Sequence, residues 1–225
     1  MKMTRKSLIL LAIVLFSTPL ISGQDLSGYR KFSLGTSLAE ITKQVGPYSH
    51  WTTVIHQRPT VIQEMTFWSL NPSPSRVGVD PVSQVLFSFY NGELYRIAVT
   101  YDRDATEGLT DEDMVQAVSA RYGTGTRLYP GINLPTNDVF ARSEEIIIAR
   151  WEDSQNAVNL LRSSNMNSFR LAVFSKRLDA QAVAASTESV KLEKQEAPQK
   201  EIDRQKKEVD DLAIARQKNK VTFRP

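Results

Sequence analysis

VLFSFYNGELYRIAVTY, residues Val85–Tyr101, is the stretch on which the fold turns. Two runs rich in β-branched and aromatic residues flank Asn91-Gly92. That dipeptide favours the tight turns of β-hairpins because both positions tolerate positive φ. A two-residue Asn91-Gly92 loop pairs Tyr90 with Glu93 and Phe87 with Arg96. It puts Val85, Phe87 and Phe89 on the face of Leu94, Arg96 and Ala98. A three-residue loop, Tyr90-Asn91-Gly92 with Gly92 left-handed, pairs Phe87 with Tyr95 and Val85 with Ile97. Val85, Phe87, Tyr95, Ile97 and Val99 then share one face, and Ser88, Arg96 and Thr100 the other. A slip of one residue exchanges the faces, so the apolar grouping favours the three-residue loop. A lone hairpin is marginal in water, and more strands are expected beside it.

Upstream, Thr60–Leu70 (TVIQEMTFWSL) alternates as a strand does, and Asn71–Pro81 reads as a long loop. Leu38, Ile41 and Val45 recur at helical spacing. Ser37 with Glu40 fits a capping box, and Gly46-Pro47 ends the helix. Downstream, Thr110 caps a second helix running to about Tyr122, with Asp113 answering at its third position and Met114, Val118 and Tyr122 on one stripe. Gly123 and Gly125 end it, and Leu128–Ala141 reads as loop. Glu145–Trp151, Asn156–Arg162 and Phe169–Lys176 form three short strands joined by tight turns, a meander.

The two halves follow one plan: a capped helix ended by glycine, a strand ending in tryptophan (Trp68, Trp151), then two more strands. The expected fold is α+β. An antiparallel sheet of about six strands, with helices packed on one face, is built from two α-β-β-β half-repeats, residues 33–101 and 110–176 of a domain spanning 24–177. Gly35-Thr36-Ser37, Gly46-Pro47 and the run Phe89-Tyr90-Asn91-Gly92-Glu93-Leu94-Tyr95-Arg96-Ile97 carry a resemblance. This pattern resembles the helix-plus-sheet modules of β-lactamase-inhibitor protein and of the small lipoprotein of the outer-membrane β-barrel assembly machinery. The resemblance covers about Phe32–Tyr101 well and the second half loosely. It implies a protein-binding role. The chain departs from those proteins in having no cysteine, so neither an acylated cysteine nor a disulfide is available to it.

The first 23 residues read as a secretory signal: a basic start at Lys2, Arg5 and Lys6, an apolar run Ser7–Phe16 too short to span a bilayer, then Pro19 and small residues. A retained anchor is the other reading of this segment. The chain totals 28 Lys and Arg against 25 Asp and Glu. The signal and the part from Lys191 onward each carry a net +3, so the part between is mildly acidic. Nothing in it calls for a nucleic-acid partner. From residue 178 to 225 the composition turns Ala-rich and then charged, a helical tail expected to break at Ala197-Pro198. A heptad seam through Ile202, Gln205, Val209, Leu212 and Arg216 is apolar at only three of its five positions, so the expectation is a solvated helix or a partly disordered tail.

Catalytic and metal-binding patterns were sought. His50 and His56 are not spaced as a metal pair, and the Gly123-Thr124-Gly125 turn ends a helix instead of opening one, the wrong end for phosphate. Asp111-Glu112-Asp113 reads as helix capping. No cofactor and no metal is expected. Arg96, Arg150, Arg162 and Arg170 all fall within expected strands. Arg96, Arg150 and Arg170, out of phase with their apolar neighbours, point to a basic stripe on an open sheet face beside Tyr90. Arginine with tyrosine is common among interface anchors, so Tyr90, Arg96, Arg150 and Arg170 are the candidate partner-binding residues. The sequence thus reads as an exported, periplasmic or secreted, non-catalytic protein-binding or adaptor module of the bacterial cell envelope, with no membrane span once the signal is removed. The alternative is an envelope hydrolase or transferase using Asp, Glu, Ser or Tyr residues.

Overall fold

Asn91 (φ 51°) and Gly92 (φ 79°) both occupy the left-handed region. The hairpin of β5 (Val82–Tyr90) and β6 (Glu93–Tyr101) therefore closes through a two-residue turn, with Tyr90 opposite Glu93. The three-residue loop is not what the chain uses. A β-bulge between Ser88 and Phe89 then corrects the register: Phe89 faces Leu94, Ser88 faces Arg96 and Phe87 faces Ile97. Tyr95 is the extra residue of the bulge. Val85, Phe87, Phe89, Leu94, Ile97 and Val99 join one core, while Tyr95 packs in a separate cluster on the opposite face. The turn chemistry and the apolar alternation are both satisfied, at the cost of one residue changing sides.

The computed structural model describes residues 25–46, 50–68, 80–128, 145–163 and 168–224. The first 23 residues, read above as a secretory signal, most of the expected Asn71–Pro81 loop and most of the expected Leu128–Ala141 loop lie outside them. A short hairpin of β1 (Gly28–Tyr29) and β2 (Phe32–Ser33) leads into α1 (Leu38–Val45). Ser37 accepts from the Glu40 amide, and Gly46 at φ 82° closes the helix. Then come β3 (His50–His56), β4 (Ile62–Trp68), the central hairpin and a single 3₁₀ turn at Asp104–Thr106. The helix α2 (Asp111–Tyr122) begins on a full Thr110–Asp113 capping box. β7 (Thr126–Arg127), β8 (Glu145–Glu152), β9 (Asn156–Ser163) and β10 (Phe169–Ser175) follow, and α3 (Lys176–Thr222) ends the chain.

The sheet is antiparallel with eight strands in the order β3-β4-β5-β6-β10-β9-β8-β7. The order reads alike from either edge, and β6 and β10 meet at the centre. Two strands exceed expectation at the rims. β3 was not among the expected strands, and β7 pairs with β8 over only Thr126 and Arg127. Ile41 of α1, Met114, Val115, Val118 and Tyr122 of α2, and Tyr29 and Phe32 of the first hairpin cover one face. Phe32 meets Phe87 edge-on at 4.8 Å. Trp151 seals the far end, its indole N–H donating to the Gly123 carbonyl at 2.7 Å. A Cβ on Gly125 would stand 2.4 Å from that indole, so this turn needs glycine for space.

The opposite face is not left bare. Leu178, Ala182 and Ala185 of α3 pack on Ile62 and Tyr95. Ser189 continues the same stripe and is also buried. The steps of four, three and four residues keep one helix side on the sheet, and alanine lets the helix axis approach closely. α3 also runs unbroken through Pro198. Proline removes its own amide from the ladder and crowds the carbonyl four residues back; that residue, Lys194, is exposed, so water satisfies the freed oxygen. Glu196 and Lys200 bridge the position at 3.0 Å. Among the described residues, no helix is long and apolar enough to cross a membrane.

Candidate functional site

Pairing fixes where the arginines point. Arg96 lies opposite Phe174 and Ser88, Arg150 opposite Asn159, and Arg170 opposite Leu161 and Thr100. These three do share one face, as the alternation requires, and it is the α3 face. Arg162, one residue out of step, lies on the other side and reaches Asp111 at 3.0 Å. The stripe is not open, however. Arg96 is 2% exposed. Its Nε donates to Asp179 of α3 at 3.0 Å, and its guanidinium lies 5.2 Å from the centre of the Phe174 ring. Arg170 is paired with Glu145, and Arg150 with Glu152 at 3.1 Å. Tyr90 is half-buried against the Ile62–Tyr95 cluster. α3, which the sequence placed in solvent, covers Arg96, while Glu145 and Glu152 of β8 engage Arg170 and Arg150.

Beneath the helix, strand polarity is unusual. Ser88 and Asn159 are buried, and Ser88 Oγ, Tyr95 Oη and Asn159 Oδ1 find no hydrogen-bond partner among the described residues. Glu64, opposite Ser88, has its carboxyl raised above the usual range, chiefly by burial, with the nearby Ser88 hydroxyl and the Arg96 charge pulling the other way. The folded chain therefore holds this proton more tightly than the unfolded chain. Ionised Glu64 costs stability above its raised pKa, and that cost fades as pH falls through it. Glu64→Gln is expected to raise the urea midpoint at neutral pH, with the gain shrinking towards pH 4.5, the ordinary value. Urea titrations of both proteins across that range check this.

At the rim, α3 is tied to the end of β3. His56 Nδ1 lies 2.9 Å from Ser189 Oγ and 3.6 Å from Glu193 Oε1, and Ser189 Oγ is 3.3 Å from the same Oε1. Serine, histidine and acid are all present, but serine and acid meet the same ring nitrogen. A nucleophilic relay needs them on opposite nitrogens, so this trio is a latch. Arg58 adds a bond to Glu196 at 2.7 Å. Arg58 and Lys200 together hold the Glu196 carboxyl down to about 2. The cavity between helix and strand measures about 270 Å³ and is lined largely by these polar groups. Among the described residues, no group of three His, Cys, Asp or Glu is set to hold a metal.

What α3 leaves uncovered is the outer part of the same face. Trp51 lies opposite Thr66, and Thr53 opposite Glu64. Trp51 therefore shares the α3 face with Trp68, two residues along β4 and within diagonal reach. Trp51 is 68% exposed and Trp68 49%. The Trp51 indole N–H donates along the strand to Thr53 Oγ1 at 3.1 Å. Val54, which points to the other face opposite Gln63, and Ile55, at the bulge before His56, are exposed further along the same strand. Among the described residues, β3 has a neighbouring strand on one side only, and His50–His56 carries neither lysine, acid nor proline to blunt pairing. This rim was missed in the sequence, although Trp51-Thr52-Thr53-Val54-Ile55 is an unbroken run of strand-favouring residues. Comparisons with family models, with curated proteins and with solved structures gave no match.

Proposed function

We propose that the chain is a non-catalytic protein-binding or adaptor module of the bacterial cell envelope, exported by its first 23 residues, and that it grips its partner at the β3–β4 rim. One observation carries this reading: two tryptophans stand exposed on one ledge beside a strand that, among the described residues, is paired on one side only. An edge of this kind accepts an extended segment of another protein by adding a strand, and exposed indoles supply the anchors. We read the palindromic strand order as a duplication of a helix-plus-strands unit, with residues 33–101 and 110–176 as its halves. That reading supports the resemblance to tandem binding modules. The arginine stripe is assigned a structural part, holding α3 in place.

The test is site-specific photo-crosslinking in envelope preparations. A crosslinker at Trp51 or Val54 is expected to give one discrete adduct, and one at Glu112, on the α2 side, none. Trp51→Ala with Trp68→Ala is expected to abolish the adduct from Val54, since a central indole contributes about 2 kcal/mol or more to such contacts. Equal labelling at Glu112, or an adduct indifferent to both tryptophans, overturns the reading.

A further inference from the structure

Beyond Glu196 every described residue of the chain is exposed. From Ala197 to Thr222 α3 extends about 39 Å, at 1.5 Å per residue, and within that length Lys200 lines the cavity against β3. Past Lys200 nothing but its backbone ladder and its own side-chain pairs supports the helix. Among the described residues these are Glu196–Lys200, Gln199–Asp203, Glu201–Arg204, Glu201–Gln205 and Arg204–Glu208, and all lie at or before Glu208. The next two turns have no such support, yet they carry Val209, Leu212 and Ile214, each about two-thirds exposed.

We propose that a second copy of this chain covers this segment, the two α3 helices crossing antiparallel about Leu212. The argument is charge and shape complementarity under reversal. Residues three and four positions away lie on the same side of a helix as Leu212, so the stripe contains Glu208, Val209, Ala215 and Arg216. Turning a second helix end for end about Leu212 sets Leu212 on Leu212, Val209 on Ala215 and Glu208 on Arg216, each of the last two twice. Gln205 then meets Asn219. The two positions that spoil a parallel heptad seam, Gln205 and Arg216, thus acquire polar and acidic partners. A parallel pair instead opposes Glu208 to Glu208 and Arg216 to Arg216. Antiparallel pairing also aligns the helix dipoles favourably. The surface is separate from the tryptophan rim, and a dimer formed here presents two rims.

Sedimentation velocity of the purified chain across the micromolar range tests it. The wild-type chain is expected to be a dimer. Glu208→Arg and Arg216→Glu are each expected to weaken association at least about tenfold, because each sets like charges across the pair twice. An equimolar mixture of the two variants is expected to recover the dimer, since arginine then meets glutamate at every contact. Both positions are exposed and remote from the core, and unchanged near-ultraviolet circular dichroism verifies folding. A monomeric wild-type chain, a dimer indifferent to Glu208→Arg, or a mixture that stays monomeric contradicts the proposal.

Discussion

Asp179→Ala is expected to destabilise the fold by about 3–5 kcal/mol, the usual consequence of removing one member of a buried ion pair. Arg96 lies on a central strand at 2% exposure, too deep for its charge to be recovered by water. Asp179 does a second job. It sits in the first turn of α3, where an acid interacts favourably with the helix dipole. The pair is not irreplaceable, since apolar substitutes of similar volume often match such pairs. The double variant Arg96→Met with Asp179→Leu is expected to recover most of the loss. Urea unfolding of the three proteins checks both statements. A single variant within about 1 kcal/mol of the parent contradicts the clasp, because an exposed pair is worth no more than that.

The second large effect separates two tryptophans that the sequence treats alike. Each closes the first strand of its half, and both read as core anchors. Trp151 is 2% exposed and donates to the Gly123 carbonyl at 2.7 Å, whereas Trp68 is 49% exposed. Trp151→Ala is expected to cost about 3–5 kcal/mol, as for large aromatic truncations in cores. Trp68→Ala is expected to stay within about 0.5 kcal/mol, as surface changes do, while abolishing partner capture. Thermal and urea denaturation read the first contrast, and the crosslinking assay the second. Equal stability losses at both sites contradict the placement of Trp68 on the open ledge.

Features whose causes are local were legible in the sequence. Ser37 and Thr110 cap their helices, and Gly46 and Gly123 end them, because capping depends on residues within one turn. The strands after Glu145 follow from alternation and turn residues. The α+β character and the large antiparallel sheet followed from the same signals. Features that depend on distant partners were not legible. The Asn91-Gly92 turn and the apolar alternation asked for incompatible registers, and a bulge at Ser88–Phe89 reconciled them. β3 has too little alternation to be read as a strand until β4 lies beside it. The face on which α3 settles depends on the whole sheet, so Arg96 and Arg170 were placed on an open face, whereas Arg96 is paired with Asp179 beneath the helix and Arg170 with Glu145 of β8. A signal was nonetheless available: Leu178, Ala182, Ala185 and Ser189 form a helical stripe of small and apolar residues, which asks for a surface to lie on.

The account depends on α3 lying against the Arg96 part of the sheet and leaving the tryptophan rim open. Methyl and aromatic nuclear Overhauser spectra of the labelled chain test this most directly. Cross-peaks from Ile62 and the Tyr95 ring to the methyls of Leu178, Ala182 and Ala185 are expected, with none from those groups to Leu212. Absence of these cross-peaks, with α3 amides before Glu196 exchanging as fast as a free helix, would show that the helix stands clear of the sheet and contradict the account.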